Sequence, residues 1–462
     1  MYLLTPKKVA EITGGKYISD GNTSKDNTPV KGAVRDNRDV KPGNLFVCIK
    51  GERTDGHLYA NDAFEAGAAC CLAEQEIPNA KGPYVIVSST TGALKTLAEY
   101  HRSKLDIPII GITGSVGKTT AKELTAAALS TKLNVLKTEK NLNNELGVPL
   151  TLMSINETHD VAVIEMGISD FGEMSRLAKM VRPDIFIMTK IGYSHIKELG
   201  DLNGVLRAKT EAFAFMSPDS TAVINGDDEL LSKYETGTKK ISFGLATGND
   251  YFAENINTQG FQSISFDIVN NKDKFSVIIP AYGSHIPALA PAAAAVGKLL
   301  GLTNDDICRG FLSYSPVEGR SNVSEVNGIT LIDDCYNANP NSVKAALISL
   351  SQLAGRRVAI LGDMLDLGKA SNEMHFIIGK DAAECDVELL LCHGDEARFI
   401  SDGYKAAGGN EAIHYSNIED LKNDIPAKIQ KGDAVLVKAS HGMHFEKILP
   451  VISARELHKK KV

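Results

Sequence analysis

The residues best suited to chemistry sit in one string, IPIIGITGSVGKTTAKELTAAAL, residues 107–129. An apolar run of strand type ends near Ile112, a loop follows with glycines at 114 and 117, and a helical pattern begins at Lys118. Glycine backbone curling into a helix N-terminus aims several N–H groups at one point, where they bind phosphate oxygens. Gly114, Ser115, Val116 and Gly117 would form that cradle. Lys118 would reach the β and γ phosphates, Thr120 would follow in the helix, and the Thr119 hydroxyl would join a Mg²⁺ shell. The general pattern G-x-x-x-x-G-K-[ST] asks for Gly at 112, whereas this chain has Ile112 flanked by Gly111 and Gly114. The competing reading is a plain strand, turn and helix with an exposed lysine. Strand, loop, Gly-Lys-Thr-Thr and helix in that order favour a nucleotide.

Three further residues belong to the same stretch of chain. Glu165 closes the apolar run DVAVIEM, and His195 follows the run DIFIMT. Carboxylate oxygen is the usual protein ligand of Mg²⁺ beside phosphates, and imidazole a less usual one. Lys209 lies in GVLRAKTEAFAFM. On a helical wheel with Val205 at zero, Met216 falls at about 20°, Lys209 at about 40° and Phe213 at about 80°. Arg207 and Glu211 fall on the opposite face as an i,i+4 pair. Lys209 thus projects from an apolar stripe. A buried ammonium must be paired, neutral or modified; the alternative is a snorkelling lysine at the stripe's edge.

Other polar clusters are more ambiguous. TEKNLNNELGVPLTL gathers Asn141, Asn143 and Asn144, which suit phosphate or sugar contacts equally with a loop closing on a helix. Arg320 follows Gly319. IDDCYNANPNS gathers Asp333, Asp334, Tyr336, Asn337 and Asn339 at a strand-to-helix junction, where capping explains Asn339 alone. GDMLDLG (362–368) and KASHGM (438–443) are polar strand ends. Near the N-terminus, Asp36, Arg38, Asp55 and His57 surround one strand, and turn formation at Pro42-Gly43 and Asp55-Gly56 accounts for much of that pattern.

The elements that must position these groups follow from patterning. A length of 462 residues suggests about three domains. Residues 1–105 mix short strands and helices. Residues 106–313 alternate apolar strands with helices, which implies a mostly parallel sheet whose ligands gather at the carboxyl ends of the strands. Asn271-Lys272 should turn a hairpin there. A Pro-bearing linker at 313–318 leads to a third alternating unit, 314–462, in which Asn339-Pro340 opens a helix. The terminal Lys459, Lys460 and Lys461 read as a solvated tail.

Composition excludes several classes. Hydrophobic residues make up 43% and charged residues 23%, which rules out disorder. No apolar run long enough to span a bilayer and no signal peptide is read, so no membrane insertion is expected. A net charge of −7 argues against nucleic-acid binding. Seven cysteines without a C-x-x-C pair suggest reduced thiols and a cytoplasmic protein.

Together these strings resemble the ATP-dependent Mur ligases of peptidoglycan synthesis along the whole chain. GSVGKTT matches the family's own phosphate loop, which accounts for Ile112. NLNNELGVPLTL, EMG around Glu165, His195, RAKTE around Lys209, EGR at Arg320, DDCYNANPNS and LGDMLDLG occur in family order. The resemblance implies a three-domain α/β architecture: an N-terminal UDP-substrate domain, a central phosphate-loop ATPase with a mostly parallel sheet, and a C-terminal Rossmann-like domain. It implies ATP and Mg²⁺ as cofactors, with Thr119, Glu165, His195 and Lys209, the last as a CO₂-derived carbamate, as metal ligands. It assigns Asn144 to a phosphate or a Mg²⁺-bound water, Arg320 and Asp334 to phosphates, Tyr336 and Asn337 to adenosine, and Lys118, Glu165, His195 and Lys209 to catalysis. It places Asp36, Asn37, Arg38, Lys50, Asp55 and His57 near the UDP-substrate. The strings NLNNE and YNANP imply the member that joins D-alanyl-D-alanine to UDP-N-acetylmuramoyl-tripeptide, by the family's acyl-phosphate route; a monomer is expected. Siblings that add one amino acid to a UDP-muramoyl peptide, or glutamate to a folate, are the alternative, and a non-catalytic nucleotide-binding regulator is a further one. Two departures bear on this: Asp36-Asn37-Arg38 where the family often has Asp-Ser-Arg, and Lys438-Ala439-Ser440-His441 where it often has Lys-Gly-Ser-Arg.

Overall fold

The computed structural model describes residues 4–21, 25–52 and 54–454; the lysine-rich tail lies outside them. The chain builds three sheets in sequence order. The first has five strands, ordered Lys16–Ile18, Tyr84–Ile86, Cys70–Ala73, Leu45–Val47, Ala33–Val34, and only the first is antiparallel to its neighbour. Its helices start where capping chemistry directs. The Thr5 side chain accepts from Lys8 N–H ahead of Pro6–Thr13, and Ser89 accepts from Gly92 N–H ahead of Thr90–Arg102. Residues 56–65 form a 3₁₀ turn, Gly56–Tyr59, running into the short helix Ala60–Glu65.

The second sheet has nine strands. Ile109–Thr113 lies inside it, between Val161–Glu165 and Ile185–Met188, with all three parallel. Register pairs Ile112 with Glu165 and Thr113 with Met188, so three carboxyl ends meet at one edge. Both faces are buried. Ile110, Ile112 and Val163 pack with Ala121, Leu124 and Ala128 of the helix Lys118–Leu129, while Ile109, Ile164 and Phe186 pack toward Val205 and Ala208. Such two-sided burial is why these strands read as continuous apolar runs. The outer strands Ser263–Asn270 and Lys274–Ile279 form the expected hairpin, with Asn270 Oδ1 accepting from Lys272 and Asp273 N–H.

Residues 314–317 take no regular structure. The third sheet follows, ordered Asn322–Val326, Ile329–Asp333, Asp433–Lys438, Arg356–Gly362, Leu389–His393, Glu411–Tyr415, parallel except for the first pair. Asn339 and Ser342 make a reciprocal capping box that opens Pro340–Ser351. All seven cysteines are free thiols. Among the described residues no helix is long and apolar enough to cross a membrane.

Candidate active site

The strand Ile109–Thr113 delivers the loop 114–117, and the loop delivers Lys118 at the first turn of a helix. Glycine is required at two points. Gly114 has φ 150°, and a Cβ there would lie 2.0 Å from Thr189 Oγ1; Gly117 has φ 85° at the helix N-cap. Lys118 Nζ donates to Gly114 O at 2.8 Å, so the lysine curls back over the cradle. Burial holds its pKa below the usual lysine range, against the opposing pull of Glu165.

Glu165 stands at the end of its strand with 1% exposure. Its Oε2 accepts from Thr119 Oγ1 at 3.0 Å, and its Oε1 accepts from Asn143 Nδ2 at 2.8 Å. Buried Lys122 lies 3.9 Å from Oε2 and donates to Thr138 O. Asn144 lines the same cleft, and its Oδ1 accepts from the N–H groups of Leu146 and Gly147, closing the turn that leads into the helix Gly147–Met153. The NLNNE string therefore divides its labour: Asn143 touches Glu165 and Asn144 shapes the loop.

His195 adopts left-handed backbone (φ 54°) at the start of a short helix, Ile196–Leu199. Burial is the main cause of its lowered pKa, with Lys209 second. Lys209 is 1% exposed on Leu202–Thr210, and the apolar stripe is formed by Val205, Ala208 and Ala212. Among the described residues no carboxylate lies within ion-pair distance of it. Burial, then Lys118, pushes its pKa well below the usual lysine value. Two details of the expected helix change. The α-helix ends at Thr210 and continues as 3₁₀ to Phe215. The Arg207–Glu211 pair does not form: Glu211 accepts from Gly172 N–H, Ser175 N–H and Ser175 Oγ at the start of Glu173–Val181, while Arg207 sits over the Phe171 ring. Capping a helix N-terminus satisfies several orphan donors at once, which outweighs one exposed i,i+4 pair.

The third sheet faces this site across a cleft of about 600 Å³ lined by residues 115–120, Glu165 and His195 on one side and Arg320, Asp334, Tyr336 and Asn337 on the other. The Arg320 guanidinium lies 4.1 Å from the Tyr336 ring centroid, and His441 stacks on the same ring. Asp334 is held by Lys438, whose Nζ donates to Asp334 Oδ2 at 2.6 Å and to Asn337 O at 2.9 Å. The Asn337 side chain accepts from Ala338 N–H. His285, at the start of His285–Leu299, also lines the cleft, and no sequence pattern singled it out.

The residues near the N-terminus are not brought into this cleft. Arg38 pairs with Asp36 beside Asn37 at the surface, Lys50 is exposed, and its backbone bridges to Asp55. His57 Nε2 accepts from Glu74 N–H, so Nδ1 carries the proton that faces Asp55 Oδ1 at 2.6 Å. That use of both ring nitrogens pins a turn to a strand end.

Three family profiles match the chain: the Mur ligase family catalytic domain at 30–102, the Mur ligase middle domain at 112–297, and the Mur ligase glutamate ligase domain at 319–441. The UDP-N-acetylmuramoyl-tripeptide–D-alanyl-D-alanine ligase of Bacillus subtilis is 34% identical over 96% of this chain and 97% of its own length. The Escherichia coli ligase of the same name is 33% identical over 90% and 92%. Crystal structures agree. MurF from Acinetobacter baumannii superposes with a TM-score of 0.86 at 29% identity, covering 98% of this chain and 100% of that one. MurF from Thermotoga maritima in complex with ADP gives 0.80 at 28%, covering 92% and 97%. The phosphate loop, the sheet order, the family profiles and similarity along nearly the whole chain converge: the chain belongs to the Mur ligase family.

Proposed function

We propose that this ligase uses ATP to join D-alanyl-D-alanine to UDP-N-acetylmuramoyl-tripeptide, releasing ADP and phosphate and supplying the pentapeptide precursor for peptidoglycan synthesis. The observation that carries the reading is the cleft in which Lys118, Thr119 and Glu165 stand opposite Arg320 and Asp334, in a chain that matches ligases of that name along nearly its whole length. Residues 1–105 would take the UDP end, near Asp36, Asn37, Arg38, Lys50, Asp55 and His57. Residues 106–313 would take ATP, and 314–462 would close over it, with Tyr336 and Asn337 toward the adenosine. The setting is cytoplasmic and the enzyme a monomer, with no nucleic acid among its partners.

The substrate's carboxylate attacks the γ-phosphorus and ADP leaves, giving an acyl phosphate. The amine of the dipeptide then attacks the acyl carbon and phosphate departs. No protein nucleophile is needed, so the chain's work is positioning and charge stabilisation. The loop N–H groups and Lys118 meet the phosphates from one side and Arg320 from the other.

The donors present suit Mg²⁺. Thr119 Oγ1 and Glu165 Oε2 are 3.0 Å apart, and Mg²⁺ takes one or two protein oxygens and fills its shell with water and phosphate. Among the described residues no group of three His, Cys, Asp or Glu forms an all-protein cage. His195 and a carbamylated Lys209 would extend the ligand set. When bound, Mg²⁺ offsets charge on the transferring phosphoryl group.

The test is ADP release by the purified protein with UDP-N-acetylmuramoyl-tripeptide, ATP and Mg²⁺, comparing D-alanyl-D-alanine with single amino acids. Turnover requiring the dipeptide is expected. Turnover with a single amino acid alone would make it a sibling ligase, and ATP binding without turnover would make it a regulator.

A further inference from the structure

The loop 366–368 of the third unit is seated on residues 195–197 of the second. Asp366 O accepts from Lys197 N–H at 3.3 Å. The Asp366 carboxylate faces His195 Nδ1 at 3.8 Å, within ion-pair range and beyond hydrogen-bond length. Gly368 (φ 54°) is so close that a Cβ would lie 3.1 Å from Lys197 Cα. Both facing residues hold left-handed backbone, His195 at φ 54° and Asp366 at φ 63°. Such conformations cost energy and persist where the surroundings over-determine them. Here they lie opposite each other where the two units meet, beside the cleft that His195 lines.

We propose that Asp366 is a positioning residue for His195: its carboxylate, brought by the third unit, draws the imidazole proton to Nδ1 through the ion-pair-range approach and leaves Nε2 as the lone-pair nitrogen. Docking of the third unit and preparation of the imidazole thereby become one event. A carboxylate behind a ligating histidine fixes its tautomer and orientation. This inference rests on the proposed function for its catalytic consequence and on geometry alone for the tautomer.

Asp366→Asn is the informative variant. Asparagine tolerates left-handed backbone as aspartate does, so only the charge is removed, and the side chain is 57% exposed, so folding is not at risk. The readout is ¹⁵N NMR of histidine-labelled, metal-free full-length enzyme, with the His195 signal assigned by its loss in His195→Gln. The wild type should show the Nδ1–H tautomer and Asp366→Asn a shift toward Nε2–H. Turnover should fall about 10- to 100-fold in kcat, and KM for the UDP-substrate should stay within about twofold. Gly368→Ala, which pushes the two loops apart, should reproduce the kcat loss with Asp366 intact. An unchanged His195 tautomer in Asp366→Asn, or an unchanged kcat, would overturn the proposal. If the wild type failed to use the dipeptide, the proposed function would fall, while the tautomer comparison would still decide the role of Asp366.

Discussion

Two lysines are buried in the units that face each other across the cleft, Lys438 in its lining and Lys209 outside that lining, and they are buried differently. Lys438, at 2% exposure, ends its strand with Asp334 Oδ2 at 2.6 Å and the Asn337 carbonyl at 2.9 Å. It ties the polar string after Ile329–Asp333 to the neighbouring strand Asp433–Lys438. Lys209, at 1%, shares the buried stripe of its helix with Val205, Ala208 and Ala212, has no carboxylate in ion-pair range among the described residues, and is repelled by Lys118. A buried ammonium with its donors satisfied is architecture. One that burial and a like charge both disfavour is pushed toward the neutral form, which has the free lone pair. CO₂ adds to neutral amines, and the product is an anion that suits the neighbourhood of Lys118.

The largest effect should come from ending that difference at Lys209. Lys209→Ala should lower kcat by about 10³-fold or more, bicarbonate should partly restore activity, and ¹³CO₂ should give a carbamate NMR signal in the wild type alone. Wild-type turnover in Lys209→Ala would remove the carbamate role. Stability should respond in the opposite sense. The pKa of Lys209 is depressed in the fold, so between that value and the unfolded value near 10.5 the unfolded chain binds more protons. Stability therefore rises with pH in that window. Lys209→Met should flatten this rise in thermal melts without bicarbonate, and should be neutral or stabilising at neutral pH.

Next is Glu165→Gln, which keeps the shape and the Asn143 and Thr119 contacts within reach but removes the charge. We expect a loss of about 10²-fold in kcat and a raised Mg²⁺ requirement, with melting unchanged within about 2 °C. A large melting shift would place Glu165 with the architectural charges instead.

Lys438 gives the converse. Lys438→Met should leave Asp334 buried and unpaired, costing about 3–5 kcal/mol, seen as a lower melting transition, with weaker nucleotide binding as a consequence. Asp334→Asn combined with Lys438→Met should recover much of that loss. If the double variant were as unstable as the single one, the pair would not be the source of the cost.

How far these roles could be read from sequence depends on the range of the interactions that create them. The phosphate loop is local: strand, two glycines and a helix start lie within about a dozen residues, so type and order suffice. Lys209 was legible because helical periodicity places it among Val205, Phe213 and Met216 without tertiary knowledge. The Asp334–Lys438 pair joins residues 104 apart in the chain, through strands whose adjacency no local pattern encodes. Within its own helix Glu211 reads as a partner of Arg207, but the helix it caps begins at Glu173, far away in sequence. His285 opens an alanine-rich helix with no polar string around it, and only packing brings it to the cleft. The short strands Val135–Lys137 and Glu411–Tyr415 lacked a strong apolar run because each lies at a sheet edge.

The smallest expected effect is at His441, where the chain departs from the family's frequent arginine. The ring is exposed, stacks on Tyr336 with centroids 5.1 Å apart at 29°, and Arg320 already sits at the same tyrosine. A second cation there would add one exposed cation–π contact, about 0.5–1 kcal/mol, and would repel Arg320 by a similar amount in solvent-rich surroundings. His441→Arg should therefore change KM for ATP by less than about threefold and leave kcat unchanged, whereas Arg320→Ala should raise KM and lower kcat together. A large gain in His441→Arg would mean that the arginine reaches a phosphate instead of the tyrosine, and would move His441 from the architectural side of the comparison to the chemical one.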